Sequence, residues 1–237
     1  MAQRLGIVMH GITKYNLEPR VPVDWQSGGR KTVLVPGQVE DDASIRFGCT
    51  DVRTNLGLLQ AARQAHPDAY IVYKPHPDVA SGNRRGTVRL DEARRYADHV
   101  ETRCSVISCI DACDVVHTMT SLTGFDALLR HKQVVTYGQP FYAGWGLTTD
   151  RATGGAFVRR QRRLSLAELI AGTLLEYPIY WDPLLKGYTT CEAVLHRLVE
   201  ERDRRERDGT LNALNRGLWA RNRRKLQALW RSWRTAV

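Results

Sequence analysis

Four short runs of apolar and β-branched residues, each stopped by a polar loop, constrain this chain more than any other feature. They are Lys31–Val35 (KTVLV), Tyr70–Tyr73 (YIVY), Asp114–His117 (DVVH) and Gln133–Tyr137 (QVVTY). Runs this short and this rich in Val, Ile and Tyr suit buried strands. Helical period marks Asn55–Ala65, a stretch around Asp91–His99, Val106–Ala112 and the FDALLRH run from Phe125. A helix between successive strands makes each connection a crossover, so the strands run parallel and helices cover both faces. The predicted fold is therefore α/β, with a Rossmann-like parallel sheet. Ligands of such sheets collect at the carboxyl ends of the strands. The loops PGQVEDDAS, KPHPDVASGNR, TMTSLTG and GQPFYAGWG all fall on that one rim.

At 237 residues, with 43% hydrophobic and 25% charged residues, the chain is long enough for one large domain with a buried core. That composition excludes a mainly disordered chain. No apolar run approaches the ~18 residues of a membrane-spanning helix. The start lacks a signal-peptide pattern, so the expected location is the cytoplasm. Five cysteines, Cys49, Cys104, Cys109, Cys113 and Cys191, show no metal-ligand spacing, and an odd number argues against full disulfide pairing. The expected organisation is an N-terminal helix and linker (1–30), a Rossmann-like domain (31–191) and a basic helical tail (192–237).

The net charge of +10 is unevenly placed. From Gly209 onward there are seven bases and no acid, so the body carries only +3. Leu211, Leu214, Leu218, Leu226, Leu229, Trp230 and Trp233 recur there at helical steps opposite the arginines. Such a face packs back on the protein, lies on an anionic membrane surface, or binds RNA or a partner helix. The nearly neutral body speaks against nucleic acid as the main partner.

Several rim residues carry chemistry. Thr120, Ser121 and Thr123 offer hydroxyls before a helix whose opening amides form an anion seat, and Gly124 would let backbone approach a ligand. Plain N-capping explains the same hydroxyls. Asp126, expected in the first helical turn, complements the helix dipole or accepts from ribose hydroxyls. Lys74 and His76, stiffened by Pro75 and Pro77, can neutralise a phosphate leaving group. His66-Pro67 reads as structural. Asp41 and Asp42, beside Gln38 and Ser44, are a general base, a metal pair, or turn and cap residues. Gln139, Phe141, Tyr142 and Trp145 compose a sugar or base platform, or a packed aromatic loop. No P-loop, dinucleotide fingerprint or nucleophile elbow is present.

Taken in order, TKYNLEP, VLVPGQVEDDASI, PDAYIVYKPHPDV, TMTSLTGFDALL, YGQPFYAGWGLTTDR and YPIYWDP resemble the capsule polysaccharide synthesis and export family of the KpsC/LipA type. The resemblance runs from about Thr13 to Cys191. It implies a glycosyltransferase of GT-B architecture that transfers β-linked Kdo from CMP-Kdo to a lipid-linked acceptor, with no cofactor. It further implies a likeness to bacterial sialyltransferases, whose His-Pro motif contacts the CMP phosphate. By position His76 would be that histidine, and Ser121 and Thr123 would hold the phosphate. Asp126 stands where the family usually has Glu as a ribose contact. The matching part is the C-terminal, donor-binding half, so a separate acceptor-domain chain is an expected partner. A nucleotide-binding scaffold without transfer activity, and a nucleic-acid binder using the tail, are the competing readings.

Overall fold

The computed structural model describes residues 2–12 and 21–210. The TKYNLEP motif and residues 211–237, with their Leu/Trp stripe, lie outside the described residues. In chain order the first half runs α1 (Ala2–His10), β1 (Thr32–Pro36), α2 (Ala43–Gly48), α3 (Asn55–Ala65), β2 (Tyr70–Lys74), α4 (Pro77–Ala80), α5 (Leu90–Ala93) and β3 (His99–Val100). There follow α6 (Val106–Ala112), β4 (Val115–Thr118), α7 (Leu122–Leu129), β5 (Gln133–Thr136), β6 (Thr149–Asp150) and a 3₁₀ turn (Gly155–Arg159). The last elements are α8 (Leu166–Ile170) with a π turn (Ala171–Glu176), the hairpin β7 (Tyr180–Asp182) and β8 (Gly187–Thr189), and α9 (Cys191–Arg207).

Six strands form one parallel sheet in the order β3-β2-β1-β4-β5-β6. Alternate residues of each strand serve different cores, because successive side chains leave a strand on opposite faces. Val33, Val35, Ile71, Tyr73 and Val115 pack with Leu58, Leu59 and Ala62 of α3. Leu34, Val72, Val116 and Val134 pack with Ile107 and Ile110 of α6, Leu128 and Leu129 of α7, and Leu169 and Ile170 of α8. Burial on both faces is why these strands read as continuous apolar runs. Ile7 and Ile12 join the second core, and Arg202 of α9 donates to the His10 carbonyl.

The chain builds outward from β1 to β3, then returns to lay β4 on the other side of β1. That reversal opens a crevice between the loops after β1 and β4, the usual ligand position in open α/β sheets.

Three local expectations need correction. The helix expected around Asp91–His99 is only Leu90–Ala93, and His99–Val100 joins the sheet edge instead. The Asp98 carboxylate accepts from the Ile71 amide at 2.9 Å, and the Glu101 amide donates to the Tyr73 carbonyl, so the chain is drawn alongside β2. α7 begins at Leu122, because Ser121 already caps the Thr123 amide. Asp126 therefore lies in the second turn, not the first. A short helix, α2, forms within the loop after β1, where Asp42 accepts from the Ser44 amide at 2.9 Å.

Candidate functional site

The crevice is organised by one buried glutamine. Gln38 follows β1, and its Oε1 accepts from the Thr118 hydroxyl (3.2 Å), the Met119 amide (3.1 Å) and the Thr120 amide (3.0 Å). Its Nε2 donates to the Thr120 hydroxyl at 3.0 Å, which in turn donates to Ser44 at 3.1 Å. Gln38 itself is held by Asn55, which accepts from its amide and donates to its carbonyl, both at 2.8 Å. Gln38 thus shapes the loop after β4 and is enclosed beneath the rim. Gln38→Leu is expected to cost about 2 kcal/mol, because it leaves two loop amides and a hydroxyl without an acceptor. A chemical denaturation midpoint equal to that of the parent would contradict this.

Beyond Thr120, the Ser121 hydroxyl accepts from the Thr123 amide (3.2 Å) and donates to the Thr123 hydroxyl (3.0 Å). Both residues are half-buried at the N-terminus of α7, whose first amides and dipole favour an anion. Gly124 answers to a different demand from the one expected. A Cβ there would overlap the Tyr142 hydroxyl and come within 2.7 Å of its Cζ, so the close approach is to an aromatic ring and not to a ligand. Tyr142 is 0% exposed and its hydroxyl donates to the Ser121 carbonyl. It supports the α7 N-terminus from below and cannot serve as a sugar platform. Asp126 is also enclosed, at 7% exposure, and burial pushes its carboxyl up to about 7 against the pull of Arg130.

His76 follows β2, which lies two strands from β4 in the sheet, so it opens on the same rim as Ser121. It caps α4: the Asp78 amide donates to its Nδ1 at 3.1 Å. A neutral imidazole that accepts at Nδ1 carries its proton on Nε2, where it is a donor. Pro77, the first helical residue, is exposed. Gly37 lies against Pro75 and the His76 amide, which joins the loop after β2 to the loop after β1. Lys74 does not stand beside His76 as the sequence suggested. It is 5% exposed, and its Nζ donates to the Cys104 carbonyl at 2.6 Å. Asp41 pairs with Arg84 at 3.2 Å and Asp42 is the α2 cap, so the structure gives these carboxylates separate tasks.

The aromatic loop divides. Phe141 is exposed, whereas Trp145 is half-buried, donates to the Phe141 carbonyl at 2.7 Å and lies under Arg160. Gln139 accepts from the Ala156 amide (2.7 Å) and donates to the Thr153 carbonyl (3.2 Å), fastening the 3₁₀ turn to the loop after β5. A cavity of about 590 Å³ opens here, lined by Ser44, Phe47, Thr120, Gln139, Phe141 and Arg159 among others. Sequence reasoning did not single out Phe47 or Arg159. Phe47 sat inside an unassigned loop, and Arg159 is one of several arginines in RRQRR.

His66 is half-buried and engaged with the interior through His117, in line with the structural reading. Its Nε2 lies 3.0 Å from Nε2 of His117, whose Nδ1 lies 3.1 Å from the Tyr137 hydroxyl.

Residues 19–180 match the family model described as capsule polysaccharide biosynthesis protein. The chain is 45% identical over 223 residues to the capsule polysaccharide modification protein LipA of Neisseria meningitidis serogroup A, covering 94% of this chain and 31% of that protein. It is 38% identical over 194 residues to the lipopolysaccharide-processing protein LpsZ of Rhizobium meliloti, covering 81% of this chain and 43% of that one. Two solved structures from Thermosulfurimonas dismutans superpose on it. The KpsC β-Kdo 2,7 transferase has a TM-score of 0.69 at 40% identity, over 85% of this chain and 61% of that chain. The KpsC β-Kdo 2,4 transferase has a TM-score of 0.73 at 32% identity, over 84% and 61%. The chain thus spans about a third of the length of LipA and 61% of each of these structures.

Proposed function

The chain belongs to the capsule polysaccharide biosynthesis family, and from that premise we propose that it binds the donor of a Kdo transferase, CMP-Kdo. The observation that carries this reading is the rim itself. Nε2 of His76 and the Ser121 and Thr123 hydroxyls at the N-terminus of α7 lie on the rim where the strand order reverses. In glycosyl transfer from CMP-Kdo, the bond between the anomeric carbon and the phosphate oxygen breaks and its electron pair stays on CMP. Donors aimed at that phosphate stabilise the charge as it develops. His76 is the donor from one side and the α7 N-terminus from the other, with Thr120 held between them by Gln38. Lys74 and Asp126 act from the interior, as a buried cation under the loop after β2 and a support within α7.

The acceptor half and its general base belong to chain outside the region matched, or to a separate subunit. The acceptor in this reading is a lipid-linked saccharide of capsule assembly. Among the described residues no helix is long and apolar enough to cross a membrane, and the basic tail is the segment we assign to an anionic leaflet.

Calorimetric titration with CMP tests the reading. The protein should bind CMP, and His76→Ala should weaken binding about tenfold or more, the loss of one charge-assisted hydrogen bond. Equal affinity in the two proteins would remove His76 from the site, and no CMP binding by the parent would remove the function.

A further inference from the structure

The 590 Å³ cavity beside Thr120 has a composition that the nucleotide does not explain. Phe47 is 83% exposed on α2, an unusual state for a phenyl ring. Phe141, also exposed, reaches the same cavity from the loop after β5. Arg159 lines it from the end of the 3₁₀ turn and pairs with no carboxylate among the described residues. Its neighbour Arg160, by contrast, is consumed by the Pro140 and Ala143 carbonyls at 2.7 and 2.6 Å. Among the described residues no acidic side chain lines the cavity, while the Ser44 and Thr120 hydroxyls do.

These residues are held in place by structure and not by chance of the surface. Gly138 bridges to Cys49, and the Gln139 amide donates to the Gly48 carbonyl at 2.8 Å, so the end of α2 is clamped to the loop after β5. A Cβ at Gly138 would come within 2.7 Å of both Cys49 Sγ and Thr120 Cγ2, which shows how closely the three loops meet. The side chain of Gln139 then fixes the turn that carries Arg159.

Two rings, two hydroxyls and one uncompensated guanidinium make a cavity for a sugar that bears a carboxylate. Rings pack on the apolar C–H face of a pyranose, hydroxyls meet its polar edge, and a guanidinium grips a carboxylate by paired N–H donors. We infer that this cavity is the subsite for the acidic sugar, with Arg159 on the carboxylate and Phe47 and Phe141 against the ring. The inference rests on the proposed function, since Thr120 is shared with the phosphate loop and a sugar attached to a phosphate at Ser121 would have to lie next to it.

Free Kdo is the probe, mannose the uncharged control, and ligand-observed NMR titration the measurement. The parent should bind Kdo more tightly than mannose. Arg159→Met should weaken Kdo at least tenfold and leave mannose unchanged, and Phe47→Ala should weaken both sugars. Both positions are exposed, so neither change threatens the fold, and thermal melting verifies that. Kdo binding unchanged in Arg159→Met, or no Kdo binding by the parent, overturns the inference. A CMP titration on the same samples reports separately on the proposed function, so failure of the subsite is distinguishable from failure of the nucleotide site.

Discussion

Gly124→Ala should melt about 10 °C below the parent. The new Cβ would overlap the Tyr142 hydroxyl and lie within 2.7 Å of Cζ and 2.9 Å of Cε2. Neither partner can give way cheaply. The tyrosine is fully buried, its ring meets Phe125 and Phe141, and its hydroxyl is bonded to the Ser121 carbonyl. On the other side, Gly124 is fixed in α7, packed on β4 and β5. Overpacking of this kind costs about 3 kcal/mol, and for a domain of this size each kcal/mol moves the melting temperature by roughly 2–4 °C. Tyr142→Phe in the same background removes the worst overlap and should recover part of the loss, an interaction that a double-mutant cycle reads directly. If Gly124→Ala melts with the parent, or if Tyr142→Phe gives no recovery, the packing account is wrong. Because Tyr142 supports the Ser121 carbonyl, the same substitution should also lower CMP affinity.

Mild acid should weaken the contribution that His117 and His66 make to stability, while Asp126, whose carboxyl burial pushes up to about 7, contributes in the opposite sense over the same range. His117 is 0% exposed, and burial, helped by His66, Arg151 and Lys31, pushes its pKa down to about 3. His66 is lowered too, by burial first and then by Lys31 and Arg151. An unfolded chain takes up protons on these rings near pH 6.5. Between about pH 6.5 and 3 the unfolded state therefore binds more protons at His117 than the folded one, and the contribution of this ring to stability falls as pH falls. Above pH 6.5 both states hold neutral imidazole and the contribution is constant. For His117 alone the loss between pH 7.5 and 4 is about 3 kcal/mol. His117→Gln removes this titration, so its stability should decline less steeply over that window, even though it starts lower at neutral pH. Parallel pH profiles for parent and variant would refute the assignment.

The order of elements was legible because it follows from local pattern. Short β-branched runs, helical period between them and turn residues at their ends are properties of neighbouring residues, and Asn55–Ala65 and Val106–Ala112 form the helices that their spacing predicts. The shared rim followed from the crossovers. Where a decision depended on a distant partner, the pattern was silent or misleading. Asp98 is drawn to the Ile71 amide across the sheet edge, and the helix expected around it gives way to a strand. Lys74 has the composition of a phosphate ligand, yet it reaches a carbonyl thirty residues on in the chain.

The contrast is sharpest within one loop. GQPFYAGWG announces an aromatic site, and the sequence offers no means of telling its rings apart. Tertiary packing sends Tyr142 under α7 and Trp145 under Arg160, and leaves Phe141 at the cavity with Phe47. By itself the sequence determined the four central strands, the helices Asn55–Ala65 and Val106–Ala112, that these strands run parallel, and which loops meet at the rim, since backbone preference and burial period are read over a few neighbouring residues. Only the tertiary structure decided which side chains on that rim turn inward and which face a ligand. That choice is made by hydrogen-bond partners and free volume contributed from parts of the chain tens of residues away.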